Sequence, residues 1–303
     1  MKTLVFGGGA IGSLFAGSLF KAGHDVALLG RENHVAEINK NGLIIEGAVN
    51  ENIKVPAVSD IGEVKEKIDL IILATKSQDT QEAMELCKSL IGPDTRVLSV
   101  QNGIGNEEII QKYTDKVIGG VTSNGVVFME PGKIQYKSPG PTAIGNYNSE
   151  NDEFVFQVKE MLESSDLKCE VCENIKDDIF KKFLANIGIN GLASIAEVKN
   201  GELIKQENLK DLFVKIISEG EKIGKAKGFN CQGNALEEVI KITEIVSENT
   251  NSMLQDLRKG KKTEIDYFNG RVVEFGRELG IPAPYNEFIT NMIKFIEMKN
   301  KKL

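Results

Sequence analysis

Residues 2–12 read KTLVFGGGAIG, and the helical pattern Ile11 to Ala22 follows at once. An apolar run that breaks into G-x-G-x-x-G and opens a helix is the fingerprint of a dinucleotide-binding βαβ unit. Gly7 suits the tight turn, Gly9 the close approach of a pyrophosphate, and Gly12 the packing of helix on strand. Gly8, Ala10 and Ile11 complete the loop, and the helix N-terminus offers free N–H groups to phosphate oxygens.

Working outward, the run VALLG after His24-Asp25 reads as a second buried strand. Further strand-like runs are Leu43–Ile45, Asp69–Ala74, Val97–Val100 and Val117–Val121, with helical stretches between several of them. Strands without polar alternation, separated by helices, predict a parallel sheet covered on both faces. Between Gly125 and Gly145 the texture turns to short extended pieces with prolines, expected as antiparallel additions at the sheet edge. A helix around Phe154–Glu163 and a strand at Lys168–Cys172 close this part. Beyond about Asn174 the pattern is helical: 176–198, 209–227, 236–247, 252–257, 265–279 and 285–299. The expected architecture is α/β, with a Rossmann-type dinucleotide-binding domain over residues 1–173 and an all-helical domain over 174–303.

Composition fits that outline. The chain has 303 residues, 41% apolar and 27% charged, with a formal net charge of -7. That length suggests about two domains. The negative balance argues against a nucleic-acid partner, and no apolar run reaches the roughly 18 residues of a membrane span. The first strand begins directly after Met1, so a cytoplasmic protein is expected. Four cysteines include Cys169 and Cys172, but with no second pair and no nearby histidine a metal site is not expected.

Several residues point to chemistry. Arg31, after the second strand, suits a ribose 2′-phosphate, while the adjacent Glu32 keeps NAD open beside NADP. Lys76 and Asn102 follow strands at the end where ligands of open α/β sheets lie, although Asn102-Gly103 is also a good turn pair. In KKFLANIGINGL, Lys182, Asn186 and Asn190 recur every four residues and so share one helix face. Gly188 and Gly191 between them leave room for another backbone or a small ligand. Only two histidines exist, and neither falls in the helical part. By elimination Lys182 is the candidate proton donor to a carbonyl oxygen. Ser252 and Thr263 read as helix N-caps, with Asp266 completing a box, and Glu264 as an acid in a helix first turn.

Taken together, GGGAIG, Lys76, QNG around Asn102, K-x-x-x-N-x-x-x-N, KNGEL around Asn200, and the NTNSMLQD…TEIDYFNG segment resemble the ketopantoate reductase (2-dehydropantoate 2-reductase) family over essentially the whole chain. The resemblance implies a 6-phosphogluconate-dehydrogenase-like fold and NADPH-dependent reduction of 2-dehydropantoate to pantoate, toward pantothenate and coenzyme A. It implies Lys182 as proton donor, and Asn186, Asn190, Asn200 and Ser252 as substrate ligands, with Asn249 a further one. Asn102 then lies between nicotinamide and substrate, Glu264 near the cofactor ribose and the substrate hydroxyl, Arg31 and Lys76 at the adenosine phosphate, and Gly125 at a backbone contact to cofactor. Departures are Asp79 where some members carry glutamine, Asn251 for a frequent serine, and Phe180 at an aromatic place in a chain without tryptophan. Other readings are a different 2-ketoacid, β-hydroxyacid or opine-type dehydrogenase of the same build, or a non-catalytic NADP(H) sensor. The expected partner is a small ketoacid. A homodimer is compatible with the chain, though no interface motif is visible.

Overall fold

The computed structural model describes residues 1–231 and 233–300. The chain divides into two compact units, Met1–Ile175 and Lys176–Leu303. In the first, the strands are β1 (Thr3–Phe6), β2 (Val26–Leu29), β3 (Leu43–Gly47), β4 (Glu51–Ile53), β5 (Ala57–Val58), β6 (Leu70–Leu73), β7 (Arg96–Ser99), β8 (Val117–Thr122), β9 (Gly125–Glu130), β10 (Lys133–Ser138), β11 (Thr142–Asn146) and β12 (Cys169–Val171). Its helices are α1 (Ala10–Lys21), α2 (Glu32–Asn41), α3 (Thr80–Cys87), α4 (Asn106–Ile110) and α5 (Glu153–Glu163).

Among the described residues, eight strands form the main sheet in the order β12-β11-β8-β7-β6-β1-β2-β5. All neighbours are parallel except β11 with β8. Leu4, Val5, Leu28 and all four residues of β6 are buried, because helices cover a parallel sheet on both sides. Phe6 lies opposite both Leu29 and Leu73, and Leu73 opposite Ser99. The carboxyl ends of β1, β2, β6 and β7 are therefore level, and their following loops line one edge. The order reverses at β1, with β2 on one side and β6 on the other, which is where open α/β sheets bind ligands.

Two expectations are corrected. Leu43–Ile45 is a strand but not part of the main sheet, and residues 125–138 do not extend its edge. They form a second sheet, β4-β3-β10-β9, in which β3 and β10 are parallel. Its apolar face packs on α1: a Cβ on Gly17 would stand 3.0 Å from Leu43 Cδ2 and 3.2 Å from Ile45 Cδ1. Only β11 of that stretch joins the main sheet, antiparallel to β8.

The second unit is helical: α6 (Ile175–Ala196), α7 (Glu202–Lys205), α8 (Glu207–Ala226), α9 (Ala235–Ile245), α10 (Ser252–Arg258), α11 (Asn269–Leu279) and α12 (Pro284–Asn300). The run expected as one helix from 265 is a 3-10 turn, Ile265–Tyr267, followed by α11 after Phe268. No helix among the described residues is long and apolar enough to cross a membrane.

Glycines set the spacing of α6, α8 and α12. A Cβ on Gly188 would stand 2.9 Å from Ile217 and Phe213 of α8, and one on Gly191 would stand 2.2 Å from Ile289 of α12. Gly220 of α8 meets Ile187 in the same way. The space beside Gly188 and Gly191 is thus filled by neighbouring side chains, not by another backbone or a ligand.

Candidate functional site

The fingerprint loop has the form a pyrophosphate needs. Gly7 adopts φ +117, and an added Cβ would stand 2.8 Å from the Ala74 and Thr75 backbone. At Gly12 a Cβ would come within 2.0 Å of Gly7 O. Gly9 is the opposite case: it is exposed, with nothing within 4 Å of its Cβ position. Open space there, directly before the unsatisfied N–H groups of Ala10, Ile11 and Gly12, fits a phosphate cradle. Gly8 is held by packing: a Cβ added there would stand 3.0 Å from the His34 ring and 3.2 Å from Gly30 Cα.

His34 is a residue the sequence reading passed over. It is 2% exposed. Gly132 N–H donates to its Nδ1 at 2.9 Å, so the proton sits on Nε2, which donates to Ser13 Oγ at 3.0 Å. Burial lowers its pKa, keeping it neutral. One imidazole thereby ties α1, the loop beside Gly8 and the β9–β10 turn together. A lone histidine in α2 gives no sequence signal for this.

Arg31 is exposed and stands at the N-cap of α2. Lys76 and Asn102 are half-buried, on the loops after β6 and β7. A polar network laces these loops together. Ser77 Oγ donates to Asn102 O at 2.5 Å, and Asn106 Nδ2 donates to the same oxygen at 2.9 Å. Thr80 Oγ1 contacts Ser77 O at 2.8 Å and Asn106 Oδ1 at 2.9 Å. Gln101 Nε2 reaches Thr75 O at 3.1 Å and Thr80 Oγ1 at 2.9 Å. Gln101, Ser77, Thr80 and Asn106 are all buried, so each lost bond would strand a polar group. Gly125 opens β9, where a Cβ would strike Ser138 Oγ at 2.2 Å.

In the second unit, α6 carries Lys182 and Asn186, both half-buried, and Asn190, which is 6% exposed. Burial lowers the Lys182 pKa to about 8, while the Glu264 carboxylate pulls it back upward. Glu264 precedes the 3-10 turn and is half-buried. The spacing of four continues one step further, to buried Ser194, whose Oγ donates to Asn251 Oδ1 at 3.1 Å. Asn200 is buried; its N–H donates to Asn249 O at 3.1 Å. Asn249 and Ser252 are exposed.

Two capping expectations change. Asn251, not Ser252, caps α10, accepting from Leu254 N–H at 2.9 Å. Ser252 is the first helical residue, leaving its hydroxyl out of the cap. Thr263 Oγ1 does accept from Ile265 N–H at 3.3 Å, but Asp266 pairs with Lys294 at 2.5 Å instead of completing a box. Glu297 takes the Thr263 N–H at 2.7 Å and its hydroxyl at 2.5 Å.

A lysine with lowered pKa, a row of amides and hydroxyls on its helix, and a glycine loop with room for a phosphate on a Rossmann-type sheet are parts that a carbonyl reductase would use. Comparison with known proteins agrees. Residues 3–149 match the family model described as ketopantoate reductase PanE/ApbA, and residues 174–297 match the C-terminal model of that family. A 2-dehydropantoate 2-reductase of Pyrococcus horikoshii is 42% identical over 97% of both chains. The crystal structure of a PanE/ApbA family ketopantoate reductase from Ralstonia eutropha has 29% identity and a TM-score of 0.91, covering 99% of this chain and 100% of that one. The ternary structure of D-mandelate dehydrogenase with NADH and anilino(oxo)acetate has 30% identity and a TM-score of 0.92, with the same coverage. The chain belongs to the ketopantoate reductase family of NADP-dependent oxidoreductases.

Proposed function

We propose that this chain reduces 2-dehydropantoate to pantoate with NADPH, in the cytoplasm, as a step toward pantothenate and coenzyme A. The observation that carries this is Lys182, an amine brought down to about 8 by burial at the head of an amide and hydroxyl row. The residues Gly7 to Gly12, Arg31, Lys76, Asn102 and Gly125 would hold NADPH, and Gly9 has the open space its pyrophosphate requires. When bound, the cofactor supplies the hydride.

The protein's own part is to bind, orient and protonate. Asn186, Asn190, Asn200, Asn249 and Ser252 offer the hydrogen bonds a hydroxylated keto acid needs. Lys182 in its ammonium form gives its proton to the carbonyl oxygen and meanwhile attracts the charge that builds there. Glu264 favours that charged form, keeping the donor loaded.

The D-mandelate dehydrogenase likeness favours one second reading, an aryl-substituted 2-keto acid with NADH. The test is NADPH and NADH oxidation with 2-dehydropantoate beside phenylglyoxylate. Higher kcat/KM for 2-dehydropantoate with NADPH is expected; preference for phenylglyoxylate with NADH would replace this reading by the second.

A further inference from the structure

Among the buried polar atoms of the helical unit that lack a hydrogen-bond partner, two are complementary: Asn251 Nδ2, a donor, and Asn200 Oδ1, an acceptor. Both residues are more than nine-tenths buried, at 6% and 4% exposed. Their amide orientations are fixed by what the other end does. Asn251 faces the Leu254 N–H and the Ser194 hydroxyl, so the atom there must be Oδ1 and the NH2 group is left over. Asn200 Nδ2 donates to Val246 O at 3.2 Å, which leaves Oδ1 over.

The backbone ties the two residues together. Asn200 N–H bonds to Asn249 O, two residues before Asn251, and Gly201 N–H bonds to Ser247 O at 3.0 Å. Ser194 joins Asn251 to the helix that carries Lys182 and Asn190. A folded protein seldom leaves a buried donor and a buried acceptor unpaired on segments tied together in this way unless something else completes them.

We propose that Asn251 is a specificity-determining residue, donating through Nδ2 to an alcohol oxygen of the substrate while that alcohol donates to Asn200 Oδ1. A hydroxyl is one donor and an acceptor together, which matches the leftover pair. A carboxylate only accepts and would strand Asn200 Oδ1. An aryl group does neither. The inference rests on the proposed reduction of a hydroxylated 2-keto acid, and it predicts that acid's preference over an aryl one.

Asn251→Asp tests it, because the carboxylate keeps the cap on Leu254 and the Ser194 bond but removes the donor. A hydroxyl has one proton and cannot serve the introduced carboxylate and Asn200 at once. Asn251→Ser, which keeps a shorter cap, is the second variant. KM is measured for 2-dehydropantoate and for 3,3-dimethyl-2-oxobutanoate, which lacks the hydroxyl, with melting temperature alongside. Expected is a rise of about tenfold for 2-dehydropantoate, equivalent to ~1.4 kcal/mol, with the deoxy analogue within about twofold and the melting temperature held. Equal losses on both substrates would make Asn251 a structural residue, and no change on either would mean that water alone fills the place. Failure of the underlying function looks different: the wild-type protein then leaves 2-dehydropantoate unreduced, and this inference falls with it.

Discussion

The side-chain amide of Asn106 donates to the backbone carbonyl of Asn102 across 2.9 Å. That bond, with the one from Ser77, holds the loop after β7 against the loop that bears Lys76. Neither Asn106 nor Ser77 is a contact residue in the proposed chemistry; they aim residues that are. Removing Asn106 strands buried groups at about 1–3 kcal/mol and lets Asn102 drift. Asn106→Ala is therefore expected to lower kcat/KM about tenfold or more. The distinctive sign lies in a double-mutant cycle with Asn102→Ala. If Asn106 acts through Asn102, the two losses fail to add; simple additivity would show that it does not.

As the proposed proton donor, Lys182 should set the alkaline limb of the reaction. A general acid must be protonated, so the rate falls as pH rises through its pKa, about 8 here against 10.5 for an ordinary lysine. The pH profile of kcat/KM should bend down near pH 8, tenfold per unit beyond it. Glu264→Gln removes the charge that pulls the pKa up, so its bend moves to lower pH. Lys182→Ala should cost roughly 10²–10⁴ in kcat while NADPH titrated by fluorescence still binds. A wild-type profile flat to pH 10 would reject Lys182 as the donor.

Under the proposed function, Arg31 is the residue expected to discriminate the two nicotinamide cofactors. Its carbonyl accepts from His34 and Val35 N–H, so the backbone is held by α2 and the guanidinium is left exposed for a ligand. A charge-assisted bond to a 2′-phosphate is worth about 1.5–3 kcal/mol, roughly ten- to a hundredfold in affinity. Arg31→Ala should raise the Kd of NADPH by that factor and leave NADH within about twofold. Parallel weakening of both would remove Arg31 from the phosphate.

How far the sequence could be read depended on the range of the interactions. Strands β1 and β6 are apolar at nearly every position, and G-x-G-x-x-G is local, so the main sheet and its phosphate loop were legible from a few residues each. The second sheet was not, because β3 pairs with β10 some ninety residues later, as in Ile44 opposite Lys133. Nothing in a short apolar run says which sheet it will join. Asn251 and Ser252 are both good capping residues, and only the folded loop shows that Asn251 takes the cap. The interleaved Gly188 and Gly191 suggested a ligand, yet what they admit is Ile217, Phe213 and Ile289. Ser194 was within reach, being the next step of the four-residue spacing. Asn106 was not, since NEE at a helix start looks like ordinary first-turn polarity.

Glu107 makes stability depend on pH in the direction opposite to a salt-bridged carboxylate. It is 2% exposed, and its Oε2 has no hydrogen-bond partner. Burial pushes its pKa from 4.5 to about 7; its own N–H and Ser99 pull the other way, and Glu108 adds to the rise. The folded protein thus holds this proton to higher pH than the unfolded chain does. Its contribution is complete below about pH 4.5 and is lost as pH climbs to about 7. At about 1.4 kcal/mol per unit, the loss is on the order of 3 kcal/mol. Glu107→Gln carries no charge at any pH, so it should match the wild-type protein near pH 4.5 and exceed it by that order at pH 8. Urea unfolding at the two pH values measures the difference directly. A variant less stable than wild type at pH 8 would mean that Glu107 is ionised and paired in the folded protein, contrary to its surroundings.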